Sequence, residues 1–94
     1  MSMKPIRLGV LMDDISSIKP NKDSSFAMML EAQKRGWEIH TFDSPDMFYA
    51  DGLVNAYSKR TSVKDSEINW YNTEASKVIN LSSFDVVFMR FDVF

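Results

Sequence analysis

The feature that most constrains the fold of this chain is a helical segment with signals at both ends. Apolar side chains recur at helical spacing over residues 26–35, as expected for a helix that packs one face on a core. Asp23, Ser24 and Ser25 supply capping oxygens directly before it. Gly36 follows, where glycine can adopt the left-handed conformation that ends a helix. The sequence therefore predicts a helix over this segment.

Short β-prone runs surround the helix. Residues 6–12 are rich in branched apolar side chains, residues 37–42 alternate apolar and polar, and residues 84–90 again look like a buried strand. A strand, a helix and a strand within some forty residues predict a βαβ unit, hence an α/β domain. Asp51-Gly52 between two β-prone runs predicts a hairpin. Ile68, Trp70 and Tyr71 suggest a further edge strand.

Composition excludes several classes of function. The net charge of −2 argues against nucleic acid or an anionic membrane as partner. The chain has no cysteine, which removes disulfides and thiolate sites and suits a cytoplasmic location. Its three glycines cannot form a dinucleotide fingerprint or a phosphate-binding loop. Its 94 residues predict one domain, and its apolar runs are too short to span a bilayer.

Candidate site residues follow the two buried strands. Asp13 comes after the first, and Arg90 with Asp92 after the last. Ligands of open α/β sheets bind beyond the carboxyl ends of the strands, so these groups are expected to meet Ser25 at the helix start if the two strands are parallel neighbours. Arg90 and the helix N-terminus would favour a carboxylate ligand. The alternatives are that Ser25 only caps the helix, that Asp13 is an ordinary strand end and that Arg90 only pairs with Asp92 or another surface acid.

The sequence resembles bacterial glutathione synthetases along nearly its whole length. The likeness rests on Lys-Asp-Ser-Ser-Phe-Ala-Met at Lys22–Met28, Glu-Ala-Gln at Glu31–Gln33 and Val-Phe-Met-Arg at Val87–Arg90. The resemblance implies that residues 1–94 are the domain that precedes the ATP-grasp domains. The implied fold is a Rossmann-like three-layer α/β module with a mostly parallel sheet and a β-hairpin insertion.

The resemblance also implies a function. The full enzyme of that family ligates γ-glutamylcysteine and glycine, using ATP and Mg²⁺ bound by later domains. Whether the protein forms a homo-oligomer is left open. Asp13, Ser25, Arg90 and Asp92 would face the dipeptide, with no catalytic or metal-binding residue in this chain. The 94 residues alone are then not expected to be active. Asp14, Val93 and Phe94 stand where the family has proline. A non-catalytic binding or dimerisation module is the alternative interpretation.

Overall fold

A computed structural model of the chain describes residues 5–13, 15–17, 24–66 and 68–89. Within these ranges it contains one α-helix and seven strands that form a single sheet. Three short 3₁₀ turns, at 15–17, 44–46 and 81–83, lie between them. The elements are β1 (Arg7–Leu11), α1 (Ser24–Lys34), β2 (Glu38–Phe42), β3 (Met47–Ala50), β4 (Leu53–Val63), β5 (Tyr71–Thr73), β6 (Lys77–Asn80) and β7 (Val86–Met89).

The helix ends as its sequence predicts. Gly36 has a φ of 78°, in the left-handed region. The Gly36 amide donates to the Gln33 carbonyl and the Trp37 amide to the Ala32 carbonyl, each at 3.0 Å. These two bonds form a Schellman motif, which satisfies carbonyls of the last turn and directs the chain back toward the sheet.

The two strands of the βαβ pattern and β7 lie side by side. The last strand is not buried as the sequence predicted, because β7 ends the strand order of the sheet and its Val86, Phe88 and Met89 are 43%, 36% and 52% exposed. Strand β1 pairs in parallel with β2 on one edge and with β7 on the other, and the full order is β3-β4-β2-β1-β7. The parallel, adjacent arrangement of β1 and β7 confirms the condition on which the candidate site depends. Arg7 and Asp85 clamp this pairing: the Asp85 amide donates to the Arg7 carbonyl, and the Arg7 amide to Asp85 Oδ2, both at 2.8 Å.

Strand β4 connects the rest of the sheet. Its residues 53–58 pair with β3 and β6, and its residues 59–63 pair with β2 and β5, all antiparallel. The β3–β4 hairpin turns at Asp51-Gly52, where φ is 54° and 76°. Two consecutive positive φ angles give the type I′ turn that suits twisted strands, so the predicted hairpin is confirmed.

Two apolar clusters occupy the two faces of the sheet. On the face that α1 covers, which we call the helix face, Leu8 and Val10 of β1 are buried with Met29 of α1. On the opposite face, the sheet curls around a smaller cluster that includes Phe42 and Phe84. The two phenyl rings are nearly parallel, with centroids 6.0 Å apart.

Gly9 allows Phe84 to approach the sheet closely. A Cβ at Gly9 would lie 2.7 Å from Phe84 Cδ2. Phe84 is only 8% exposed and is stacked on Phe42, so its ring has little room to move away. Glycine is therefore required here for space rather than for its backbone conformation.

The structure corrects three details of the expected fold. The sheet is mixed rather than mostly parallel, since β1 makes two parallel pairings and β4 makes four antiparallel ones. The hairpin extends the sheet, because β4 is long enough to pair with β2 as well as β3. Only one α-helix layer is present in the described residues, so the three-layer arrangement is not seen there. Neither is there, in those same ranges, a helix long and apolar enough to cross a membrane.

Candidate functional site

A cleft of about 280 Å³ lies at the carboxyl ends of β1 and β2. The Met12 amide donates to the Phe42 carbonyl at 3.0 Å and keeps the ends of the two strands together. Polar residues of the cleft come from the segments that follow both strands and from β4. They include Asp13, Thr41, Asp43, Asp46, Tyr57 and Lys59.

Asp43 and Asp46 are held by the backbone of the 3₁₀ turn at 44–46. Asp43 Oδ1 accepts from the Ser44 amide at 2.7 Å, and Asp46 Oδ2 accepts from the Asp43 amide at 2.9 Å. This is a capping box, with Pro45 inside the turn to fix the backbone. Both carboxylates therefore have a structural role and also line the cleft.

A pair of buried hydroxyls lies where β2 meets β4. Thr41 Oγ1 and Thr61 Oγ1 are 2.9 Å apart, and the two residues are 7% and 4% exposed. The Thr61 hydroxyl also lies 3.0 Å from the Lys59 carbonyl, to which it can donate. These bonds join the two cleft-lining strands without exposing a polar group to solvent.

The described wall of the cleft is more acidic than basic. It carries the carboxylates of Asp13, Asp43 and Asp46 and the single ammonium group of Lys59. Such a wall complements a ligand with an ammonium group better than one that is only anionic. The carboxylate preference expected from the sequence therefore depends on Arg90 and the helix start, not on these residues.

The structure describes two of the four predicted site residues, Asp13 and Ser25. Asp13 lines the cleft and is exposed. Ser25 lies in the first turn of α1 with 1% of its surface exposed, and it is not among the described residues that line the cleft. Arg90 and Asp92 lie outside the described residues. The substrate-binding roles of all four residues stay predictions.

The polar residues of the cleft that sequence reasoning missed include Asp43, Asp46, Tyr57 and Lys59. Asp43 directly follows the second strand of the βαβ unit, so the same rule that selected Asp13 would have selected it. Asp46 follows Ser44-Pro45, a turn signal that could have marked it as a cap. Tyr57 and Lys59 line the cleft only because of the pairing of β4 with β2, for which the sequence has no local signal.

A second polar cluster lies on the opposite face, toward the amino ends of the strands. Glu38 Oε2 lies 2.7 Å from His40 Nε2 and 3.2 Å from Arg7 Nε, and Arg60 Nη1 is 3.8 Å from Glu38 Oε1. The hydrogen bond with His40, helped by Arg60 and Arg7, holds the pKa of Glu38 below its usual value, although partial burial acts in the other direction.

The surroundings of this cluster indicate a structural role. His40 is 6% exposed, and its ring centroid lies 5.5 Å from that of Phe84. In the part of the chain that the structure describes, no three histidine, cysteine or acidic side chains are placed to hold a metal ion.

Comparison with known protein families decides the family of the chain. Residues 6–92 match the family described as prokaryotic glutathione synthetase, N-terminal domain. The chain belongs to this family. The match covers every strand of the sheet and the helix, so the cleft lies within a glutathione synthetase N-terminal domain.

Individual relatives agree with the family match. The chain is 48% identical over 87 residues to a glutathione synthetase of Vibrio vulnificus strain YJ016, 45% to one of Yersinia pestis and 47% to one of Wigglesworthia glossinidia brevipalpis. Each alignment covers 93% of this chain but only 27–28% of the relative. The chain thus spans somewhat more than a quarter of the length of these enzymes.

Proposed function

We propose that this chain is the substrate-side N-terminal domain of a glutathione synthetase. At full length that enzyme would ligate γ-glutamylcysteine and glycine and convert ATP to ADP. The observation that carries the proposal is the family match over residues 6–92. Because the chain spans 27% of the Vibrio vulnificus relative, the ligase activity is proposed for the full-length protein and not for the 94 residues alone.

The charges near the cleft support a zwitterionic substrate. γ-Glutamylcysteine carries one ammonium group and two carboxylates at neutral pH. In the proposed arrangement Asp13 attracts the ammonium group. The guanidinium of Arg90, which follows β7 in the chain, binds a carboxylate, with Asp92 beside it in sequence. Ser25 contributes at the start of α1, where backbone amides and the helix dipole favour an anion.

ATP and Mg²⁺ are assigned to parts of the full-length enzyme outside this chain. The described residues supply no cluster suited to a metal ion. The role proposed for this chain is to bind and orient the dipeptide. In the same proposal the enzyme acts in the cytoplasm, and residues 1–94 form one domain. Elements supplied by the longer protein would complete the Rossmann-like three-layer arrangement.

A chimeric enzyme tests the proposal directly. Residues 6–94 replace the corresponding segment of the Vibrio vulnificus strain YJ016 enzyme, to which this chain is 48% identical over 87 residues. We expect the chimera to form glutathione from γ-glutamylcysteine, glycine and ATP, measured by product formation and ADP release. A chimera that unfolds cooperatively, and so is folded, but forms no product while the parent enzyme does would contradict the proposal.

Paired substitutions in the chimera test the residue roles. Arg90→Ala is expected to raise KM for γ-glutamylcysteine by about 10–100-fold, the usual worth of a charge-assisted hydrogen bond. Arg35→Ala is its control, because the Arg35 side chain is 64% exposed and pairs with Glu31 at the helix surface. Asp13→Asn should raise the same KM, with the exposed Asp65→Asn as control. If KM is the same for a substitution and its control, that residue has no place in the site.

A non-catalytic α/β module is the second candidate. It is favoured by Val93 and Phe94, which stand where the resemblance leads us to expect two prolines beside the substrate. Proline restricts the backbone, so the replacement leaves this segment less constrained. Restoring both prolines in an inactive chimera distinguishes the two candidates. Recovered ligation assigns the defect to this segment, and continued inactivity favours the non-catalytic module.

A further inference from the structure

The side-chain amide of Gln33, near the end of α1, bonds to the backbone of β4 as a neighbouring strand would. Its Nε2 donates to the Val63 carbonyl, and its Oε1 accepts from the Val63 amide at 2.8 Å. Val63 is 3% exposed, and backbone groups at such a position need partners. Gln33 is itself an exposed residue, so its role lies in these two polar contacts rather than in burial.

The pairing of β2 with β4 explains why a side chain takes this place. The ladder between the two strands ends with Ile39 opposite Thr61. Two residues further along the ladder, Trp37 would lie opposite Val63. The Trp37 amide instead donates within the Schellman motif that ends α1. Gln33 therefore supplies the donor and the acceptor that the backbone of β2 no longer offers.

The end of β4 also contacts the first turn of α1. The Lys64 amide, directly after β4, donates to the Trp70 carbonyl at 2.8 Å, and the Trp70 ring packs edge-on against Phe26 with centroids 5.2 Å apart. An apolar ring contact tolerates a small slide of the helix along its axis. Hydrogen bonds weaken steeply as their geometry changes, so the pairing of Gln33 with Val63 is the contact that fixes the axial position.

The first turn of α1 is connected to the cleft. It carries Ser25, which lies eight residues, or about 12 Å of helix, before Gln33. Ile15 lines the cleft and is buried in the same cluster as Phe26 and Met29 of α1. A slide of α1 would therefore move the helix start and disturb the packing of a cleft residue.

We infer that Gln33 is a positioning residue for the substrate site. By pairing with Val63 it fixes α1 along its axis, and so sets where the backbone amides of the first turn lie relative to the dipeptide. Gln33 is not among the described residues that line the cleft, so it acts only through the helix. This inference rests on the proposed function, because it requires the helix start to bind a carboxylate of γ-glutamylcysteine.

Amide NMR spectra of the 94-residue chain test the positioning without any need for catalysis. Gln33→Met removes both hydrogen bonds but keeps the length and the helix propensity of the side chain. We expect the amide signals of Val63, Ser25 and Phe26 all to move. Lys34→Met, the same change at the next, exposed residue, should leave all three in place. A Ser25 signal and a Phe26 signal that stay in place in Gln33→Met would overturn the inference, whether or not the Val63 signal moves.

Protonation of Gln33→Glu should restore the position of the helix. An ionised carboxylate only accepts hydrogen bonds, whereas a protonated carboxyl group offers one donor and one acceptor, as the amide does. The Ser25 and Phe26 signals should therefore be displaced at neutral pH and return as the carboxyl is protonated, at roughly pH 4–5. Wild type at each pH is the control, because Glu38 and Glu74 line the pocket beside Gln33. Signals that stay displaced at low pH would contradict the pairing.

Kinetics of the chimera connect the helix position to the reaction. Gln33→Met should raise KM for γ-glutamylcysteine by about tenfold and leave KM for ATP unchanged, while Lys34→Met should change neither. A mere loss of folded protein would lower the maximal rate and leave both KM values as they are. An unchanged KM for γ-glutamylcysteine in Gln33→Met would overturn the inference. An inactive chimera without these substitutions would count against the proposed function instead, and the NMR spectra then still decide whether Gln33 places the helix start.

Discussion

The inner and outer halves of the sheet differ in how far they bury their apolar side chains. In the inner half, β1 is flanked by β2 and β7 and covered by α1, and Leu8, Val10 and Met29 are at most 1% exposed. In the outer half, β3, β6 and the first part of β4 receive no helix, and Leu53, Tyr57 and Val78 stay about half exposed. The outer half packs only against the smaller cluster around Ala56, whereas the inner half also has the larger core under α1. The inner half should therefore carry most of the stability of the monomer.

A matched pair of leucine substitutions should show the largest difference. Leu8 is 1% exposed and Leu53 is 47% exposed. We expect Leu8→Ala to lower the free energy of unfolding by about 3–5 kcal/mol, because it leaves a cavity under α1. Leu53→Ala should lower it by less than about 1 kcal/mol. Urea unfolding of both variants measures the two values, and equal losses would remove the distinction between the halves.

Substitution of one glycine in each half should lower the free energy of unfolding by a different mechanism, and by less than Leu8→Ala does. Gly9→Ala places a Cβ against Phe84 and should cost about 1–3 kcal/mol through overpacking. Gly52→Ala meets no close atom but must adopt a φ of 76°, which should cost about 1 kcal/mol. The same unfolding measurement applies. Phe84→Leu should recover part of the loss in Gly9→Ala and none in Gly52→Ala. Recovery in neither variant would contradict the steric explanation.

The smallest expected effect is a pH dependence of the free energy of unfolding, which arises from Glu38 in the inner half. The folded-state pKa of Glu38 lies below its usual value of 4.5, mainly because of the hydrogen bond with His40. The carboxylate therefore contributes stability that is complete above pH 4.5 and is lost as the pH falls through the lower, folded-state value.

Glu38→Gln measures this contribution. The variant should be less stable than wild type at neutral pH, and the gap should narrow below pH 4.5. Glu31→Gln is the control, since Glu31 is 57% exposed and pairs with Arg35 at the helix surface. A gap for Glu38→Gln that stays constant from neutral pH to well below pH 4.5 would contradict the assignment.

Local signals in the sequence predicted the local structure. The stop at Gly36 and the turn at Asp51-Gly52 each depend on a backbone conformation that glycine adopts at low cost, and both were found. The expected strand around Ile68 to Tyr71 is only partly confirmed. Asn69 has a φ of 52° and the Trp70 ring packs on Phe26, so β5 begins only at Tyr71.

Long-range pairing was less accessible from sequence. Nothing in residues 53–63 distinguishes a strand with one partner from one with four, since the partners come from separate parts of the chain. The sheet was therefore expected to be mostly parallel, and Tyr57 and Lys59 were not linked to the cleft. Asp13 lines the cleft because it directly follows β1, and its role in binding substrate stays a prediction.

The clamp between Arg7 and Asp85 has a consequence for the order of assembly. It joins residues 78 apart in sequence, so β7 can pair with β1 only after all the residues between them have been made. Closing so long a loop is entropically unfavourable and slow compared with forming α1 or the hairpin. During synthesis on the ribosome, β1 and β2 can pair first, and the free edge of β1 stays open to other strands until β7 emerges. Among the described strands, the last to be made thus pairs with the free edge of the first.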